Sequence, residues 1–220
     1  LDPETADVLA THSFADEIAV IRRIAQTDPE QKLTRRVLQK RDDWMDWLQS
    51  EALQLSQYET QDMFGHPTAR PPGANVLQLL WTYLIKPDGR KKARCVCNGN
   101  PNAKGTVTLA HTYAACLEQP AQRVFWGAVC IKNMIVIGAD ASNAFGEAPA
   151  PKAPLYVTVD QPFREWWQAQ GRGTIPPGYV LPVKHALQGH PESPRLWAKH
   201  IDAIIQQHIG LTPTTHEPCL

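Results

Sequence analysis

Residues 134 to 146, Met-Ile-Val-Ile-Gly-Ala-Asp-Ala-Ser-Asn-Ala-Phe-Gly, run from an apolar stretch into a single carboxylate, Asp140, followed by small residues and an aromatic. Ile135, Val136 and Ile137 are β-branched and bounded by Gly138, which predicts a short buried strand delivering Asp140 at its C-terminal end. A carboxylate there must be solvated, paired or bound to a cation, because an unpaired charge taken out of water is costly. Ala141 to Ala144 are small enough for backbone amides to approach an anion, and Phe145 can lie against whatever ring carries it. Metal, phosphate and sugar would then meet within one turn. The same Asp-Ala-Ser-Asn sequence also suits an Asp that opens a turn or caps a helix and does no chemistry.

A second group of charged residues lies on a predicted β-hairpin. Leu77 to Ile85 reads as one strand, Lys86-Pro-Asp-Gly89 as a tight turn, and Lys91 to Asn98 as the returning strand. Lys86, Arg90, Lys91, Lys92 and Arg94 concentrate positive charge there, as either a solubilising edge or a phosphate contact. Cys95 and Cys97 alternate along the returning strand with both thiols on one face, and the Cys-x-Cys spacing, even with His111 and Cys116 downstream, suits core cysteines better than zinc. His200, His208 and His216 read as solvated or core histidines. Asp42-Asp43 sits among basic residues on a helix and reads as a solvated face.

The elements that must position these groups alternate between helical and strand periodicity. Helices are predicted over residues 4–26, from about 29 to 58 with a break near 40–43, over 111–127 with Pro120 opening a second turn, over 163–170, and over 195–209 with Pro194 in the first turn. Strands are predicted at 77–85, 91–98, 134–138, 155–159 and 179–187, with breaker-rich connectors at 65–73, 148–154, 171–178 and 188–194.

Lys plus Arg equals Asp plus Glu at 22 each, so any nucleic-acid surface must be a local patch, and a hydrophobic content of 43% supplies a sizeable core. Five cysteines, an odd number, argue against a disulfide framework. With no apolar run long enough for a bilayer and no signal peptide, the expectation is an intracellular protein; without an initiator Met, and with Leu220 in mid-pattern, it reads as a piece of something longer.

Taken in order, these blocks resemble the reverse transcriptase domain of copia-type retrotransposons. Asp140-Ala-Ser-Asn-Ala-Phe145 resembles that family's palm motif Asp-Val-x-x-Ala-Phe, with Ala141 in place of Val. Lys92-Ala-Arg-Cys-Val-Cys-Asn-Gly99 resembles its fingers motif Lys-Ala-Arg-Leu-Val-x-x-Gly. Ala186-Leu-Gln-Gly-His-Pro-Glu-Ser-Pro-Arg-Leu-Trp197 is similar to Leu-Tyr-Gly-Leu-Lys-Gln-Ala-Pro-Arg-x-Trp, with Gln188 where many members carry Tyr. Leu155 to Pro162 and Trp44 to Glu51 resemble two further segments, so the likeness extends over residues 44–220, with residues 1–43 as a helical linker or extension.

The resemblance implies an α+β fold of fingers and partial palm, an antiparallel sheet flanked by helices. It implies an RNA-directed DNA polymerase that works on an RNA template, a DNA primer and deoxynucleoside triphosphates with Mg²⁺ or Mn²⁺. By the same likeness, Asp140 and the Ala141 carbonyl hold metal, Lys92 and Arg94 close on the phosphates, and the Asn143 and Ala144 amides hold the triphosphate. Phe145 lies under the deoxyribose, and Gln188 and Gly189 pack on nucleotide and template. Other polyprotein segments, an integrase upstream and the rest of the palm with ribonuclease H downstream, are implied partners, in cytoplasmic virus-like particles and the nucleus. The family's Tyr-x-Asp-Asp acids have no counterpart before Leu220, so the chain alone is expected not to polymerise. A non-catalytic nucleic-acid-binding remnant of such an element is the alternative.

Overall fold

Most of the described helices start where the sequence supplies a capping side chain or a proline, and the computed structural model describes residues 33–99, 112–215 and 219. α1 (Arg35–Leu38) opens on Thr34, whose hydroxyl accepts from the Val37 amide. The chain breaks at residues 39–43, as the charged run there predicts, and Arg41 Nε folds back onto Asp43 Oδ1 at 2.9 Å. α2 (Trp44–Thr60) follows. α3 (Gln119–Ile131) carries Pro120 in its first turn, and α4 (Gln161–Ala169) is capped by Asp160, whose Oδ1 accepts from Phe163 N at 3.1 Å. α5 (Ser193–Ile204) begins with Pro194 and passes into a π-helical turn at Ile205–Ile209 that Gly210 ends at φ +74°.

The strands are β1 (Thr68–Ala69), β2 (Asn75–Ile85), β3 (Lys91–Cys97), β4 (Leu155–Thr158) and β5 (Tyr179–Pro182). They form one sheet in the order β1-β5-β4-β2-β3, leaving β3 on an edge. The fold is mixed α and β, but the sheet is not the expected antiparallel one: β2 and β4 run parallel, Leu77 opposite Val157. β3, antiparallel to β2, brings the chain back to the end of the sheet where β2 starts, so the connection from β3 to β4, which contains α3, only has to pass β2 to set β4 parallel beside it.

Side chains alternate faces along the β2–β3 hairpin, so Leu77 and Leu79 share the buried side with Cys95 and Cys97, in register Leu79 to Cys97. Leu55 and Tyr58 of α2 and Phe163 and Trp167 of α4 cover that side. Tyr58, Phe64 and Phe163 meet edge to face at 5.5 Å and 5.6 Å. Burying each such side chain stabilises by roughly 1.5–3 kcal/mol. Both thiols are core residues, as their alternation predicts; burial raises the Cys95 pKa and pushes Cys97 up to about 12.

Three expectations change. Residues 134 to 138 form no strand; they follow α3 without regular structure, with Ile135 and Ile137 91% and 89% exposed. β-branching makes pairing favourable but cannot supply a partner, and no described strand runs beside this segment. The helix placed at 111–127 begins at Gln119 instead, where Pro120 suits a first turn, and extends to Ile131 without a buried residue. The strand placed at 179–187 stops at Pro182, beyond which single bridges join Phe64 to Val183 and Pro149 to His185. The predicted helix at 4–26, His111 and His216 lie outside the described residues. Among the described residues no helix is long and apolar enough to cross a membrane.

Candidate nucleotide cleft at the edge of the sheet

An edge strand leaves every second backbone group open, and β3 has partners for its open groups that also build a site. Ser50 Oγ of α2 accepts from Ala93 N at 2.7 Å and donates to Lys91 O at 3.2 Å. The Tyr58 hydroxyl donates to Cys95 O, and Cys97 N donates to Gln188 O at 2.8 Å. With its odd-numbered residues thus held, β3 turns Lys92 and Arg94 to the other side together.

The facing wall is the turn before and through the 3₁₀ segment Ala144–Glu147. Asn143 stands at its start in a left-handed conformation, φ +48°. Gln61, which closes α2, fixes this turn: its Oε1 accepts from Asn143 Nδ2, and its Nε2 donates to Glu147 Oε1 at 2.5 Å and to Asn143 O at 3.4 Å. A Cβ on Gly146 would lie 2.1 Å from Gln61 Oε1, so only glycine admits this clamp. Asp140 is exposed and lies three residues ahead of the cap position, which Asn143 takes.

Between these walls lies a cleft of about 350 Å³. Lys86, Lys92 and Arg94 line its cationic side, Gln54 and Gln57 of α2 its floor, and Asp140 to Phe145 the turn side, with Gln188 completing it. Of the residues singled out from sequence, Asp140, Ala141, Lys92, Arg94, Asn143, Ala144, Phe145 and Gln188 come together here although they are scattered over about a hundred positions. Gly189 does not line the cleft. At φ +92°, with Cys97 O 2.2 Å from where a Cβ would stand, it lets the 188–189 bend press onto β3. Sequence reasoning gave Lys86 only a place in the hairpin charge and missed Ser142, Gln54 and Gln57; the last two belong to a polar line, Ser50, Gln54, Gln57 and Gln61, at helical spacing.

Most basic groups near the hairpin are paired: Lys91 with Asp43 at 3.0 Å and with Asp46, Arg90 with Asp88 at 2.6 Å, Arg35 with Glu51 at 3.0 Å. Lys86, Lys92 and Arg94 make no ion pair among the described residues. Burial first, then Arg94, Lys86 and Arg90, lower the Lys92 pKa below its ordinary value. Such a group favours an anion placed against it.

Among the described residues Asp140 is the sole carboxylate lining the cleft, and no three His, Cys, Asp or Glu are grouped so that they could hold a metal ion. One carboxylate and the Ala141 carbonyl do not fit a resident pair of divalent cations, which needs several oxygen donors per ion. In comparisons with known proteins, the chain matches no family model, no curated protein and no solved structure.

Proposed function

We propose that this chain is the fingers and partial palm of a copia-type reverse transcriptase, an RNA-directed DNA polymerase, and that the cleft at the edge of β3 receives the triphosphate of an incoming deoxynucleotide. The observation that carries this reading is the convergence of Lys86, Lys92 and Arg94, which make no ion pair among the described residues, with Asp140 and the 141–145 turn around one cleft. Fixed positive charge stabilises a phosphoryl group as negative charge builds on it, which is the work assigned to Lys92 and Arg94. The amides of Asn143 and Ala144 approach the phosphates, Phe145 supports the sugar, and Gln188 meets the base. RNA template and DNA primer are the macromolecular partners on this reading. Two-metal chemistry with Mg²⁺ or Mn²⁺ needs carboxylates beyond Asp140, so the chain alone binds nucleotide without polymerising it.

Calorimetric titration of the 220-residue chain with a deoxynucleoside triphosphate tests this. Binding is expected, and Lys92→Ala with Arg94→Ala should weaken it about a hundredfold, the scale of two charge-assisted hydrogen bonds. Absence of binding would overturn the reading; processive primer extension by the chain alone would overturn only the expectation that it cannot polymerise. The lone carboxylate favours a second reading, a non-catalytic nucleic-acid-binding remnant. That reading expects a single-stranded oligonucleotide to bind more tightly than the triphosphate, with Asp140→Asn leaving both unchanged.

A further inference from the structure

The turn that walls the cleft opposite β3 is anchored unevenly. After it, Ala186 N donates to Ala148 O at 2.9 Å and a single bridge joins Pro149 to His185. Before it, residues 135–140 take no regular structure and make no hydrogen bond among the described residues. α5 packs against Ala144–Glu147, but the leading residue, Asn143, is held by Gln61. Glu147 decides which way the Gln61 amide faces, because a carboxylate only accepts and so must meet the nitrogen, at 2.5 Å. That leaves Oε1 to accept from Asn143 Nδ2, while Nε2 also reaches Asn143 O at 3.4 Å. One side chain thus ties the start of the turn to its end. Asn143 needs such a hold, since φ +48° lies in the left-handed region that few residues other than glycine occupy.

We infer that Gln61 is the positioning residue of this cleft: from the end of α2 it sets where Asn143 and Ala144 stand, and through them how tightly an anionic ligand is held against Lys92 and Arg94. Gln61 does not line the cleft, so it acts only through the turn. Ser50, on the same helix, holds the backbone of β3, so α2 fixes the spacing of both walls before a ligand arrives. A wall that had to be ordered by the ligand would cost affinity, and the Gln61 clamp removes that cost. The inference rests on the nucleotide reading of the cleft and adds the device that holds its turn side.

The test titrates the full chain with inorganic tripolyphosphate and follows each variant by a thermal melt. Gln61→Ala should weaken binding about tenfold, the scale of one charge-assisted hydrogen bond to the ligand. Gly146→Ala attacks the same contact from the other side, because its Cβ would stand 2.1 Å from Gln61 Oε1 and push the amide away. It should weaken binding by a similar factor, and the two changes together should do no more than Gln61→Ala alone. Gln61→Glu sets two carboxylates against each other, and adding Glu147→Gln, which exchanges donor and acceptor, should restore most of the affinity. Glu59→Ala strips Arg172 of its partner at the same end of α2 and should lower Tm without changing affinity. Wild-type affinity in Gln61→Ala, or in Gly146→Ala should Gln61→Ala not fold, overturns the inference while leaving the nucleotide reading in place. So does an equal loss in Glu59→Ala, or failure of Glu147→Gln to restore Gln61→Glu. No binding by the wild-type chain removes both.

Discussion

Lys91 and Lys92 are neighbours on one strand, yet their surroundings differ in every respect that matters to a charge. Lys91 has Asp43 at 3.0 Å and Asp46 as well, and those partners, Asp46 foremost, raise its pKa. Lys92 has no carboxylate partner among the described residues, and burial, then Arg94, Lys86 and Arg90, lower its pKa. The same contrast extends along the hairpin. On the α2 side Glu51, almost wholly buried, takes Arg35 Nε at 3.0 Å, Arg35 Nη2 at 3.1 Å and the Tyr83 hydroxyl at 2.6 Å. Charge is completed within the fold there; on the cleft side it is left for something else to complete.

Breaking the completed side should cost the most stability. Glu51→Ala strips the acceptor from Arg35 and Tyr83 together and should lower unfolding free energy by about 3 kcal/mol in a denaturant melt, the scale of a buried pair that loses one partner. Tripolyphosphate affinity measured below the melt should be unchanged, and a loss of affinity would show the two sides to be coupled. Lys92→Met sharpens the contrast from the other side. It should leave stability level or raise it by about 0.5 kcal/mol or less after solvent screening, while weakening anion binding.

The pH dependence carries a definite sign. Because Lys92 titrates below its unfolded value of 10.5, the unfolded chain holds more protons in the window between the two pKa values. Wild-type stability relative to Lys92→Met should therefore rise with pH across that window, and anion binding should fall there.

The smallest expected effect belongs to Asp43, whose hydrogen bonds to Arg41 and then to Lys91 hold its carboxyl at about 2 against an ordinary 3.8. Its contribution is complete above pH 3.8 and lost as pH falls through about 2, so the slight Tm gap between wild type and Asp43→Asn should close below that point.

The hairpin was legible because its signals are local. Pro87 and Gly89 mark the turn, and alternation from Ala93 to Cys97 sorts core from surface without reference to anything distant. The strand expected to carry Asp140 was not, because the β-branched run of 135–137 states a preference, while a sheet requires a neighbour that the sequence of that run does not encode. Most of the cleft could be named from motif order, yet Gln54 and Gln57 were passed over by reading α2 for its apolar residues alone. Gly189 illustrates a different limit. A glycine expected to make room for a ligand makes room for the Cys97 carbonyl, and only three-dimensional proximity separates those two uses.

The bare stretch after α3 has a consequence for handling the molecule. Met134 to Ile137 lies outside every described strand, close in sequence to Ile131 and Trp126, which are also open to water. Exposed apolar side chains of this kind, gathered in one stretch, are where copies of a chain can associate. Handling at high concentration is therefore expected to favour self-association through this corner, which lies apart in sequence from the Lys92 and Arg94 strand.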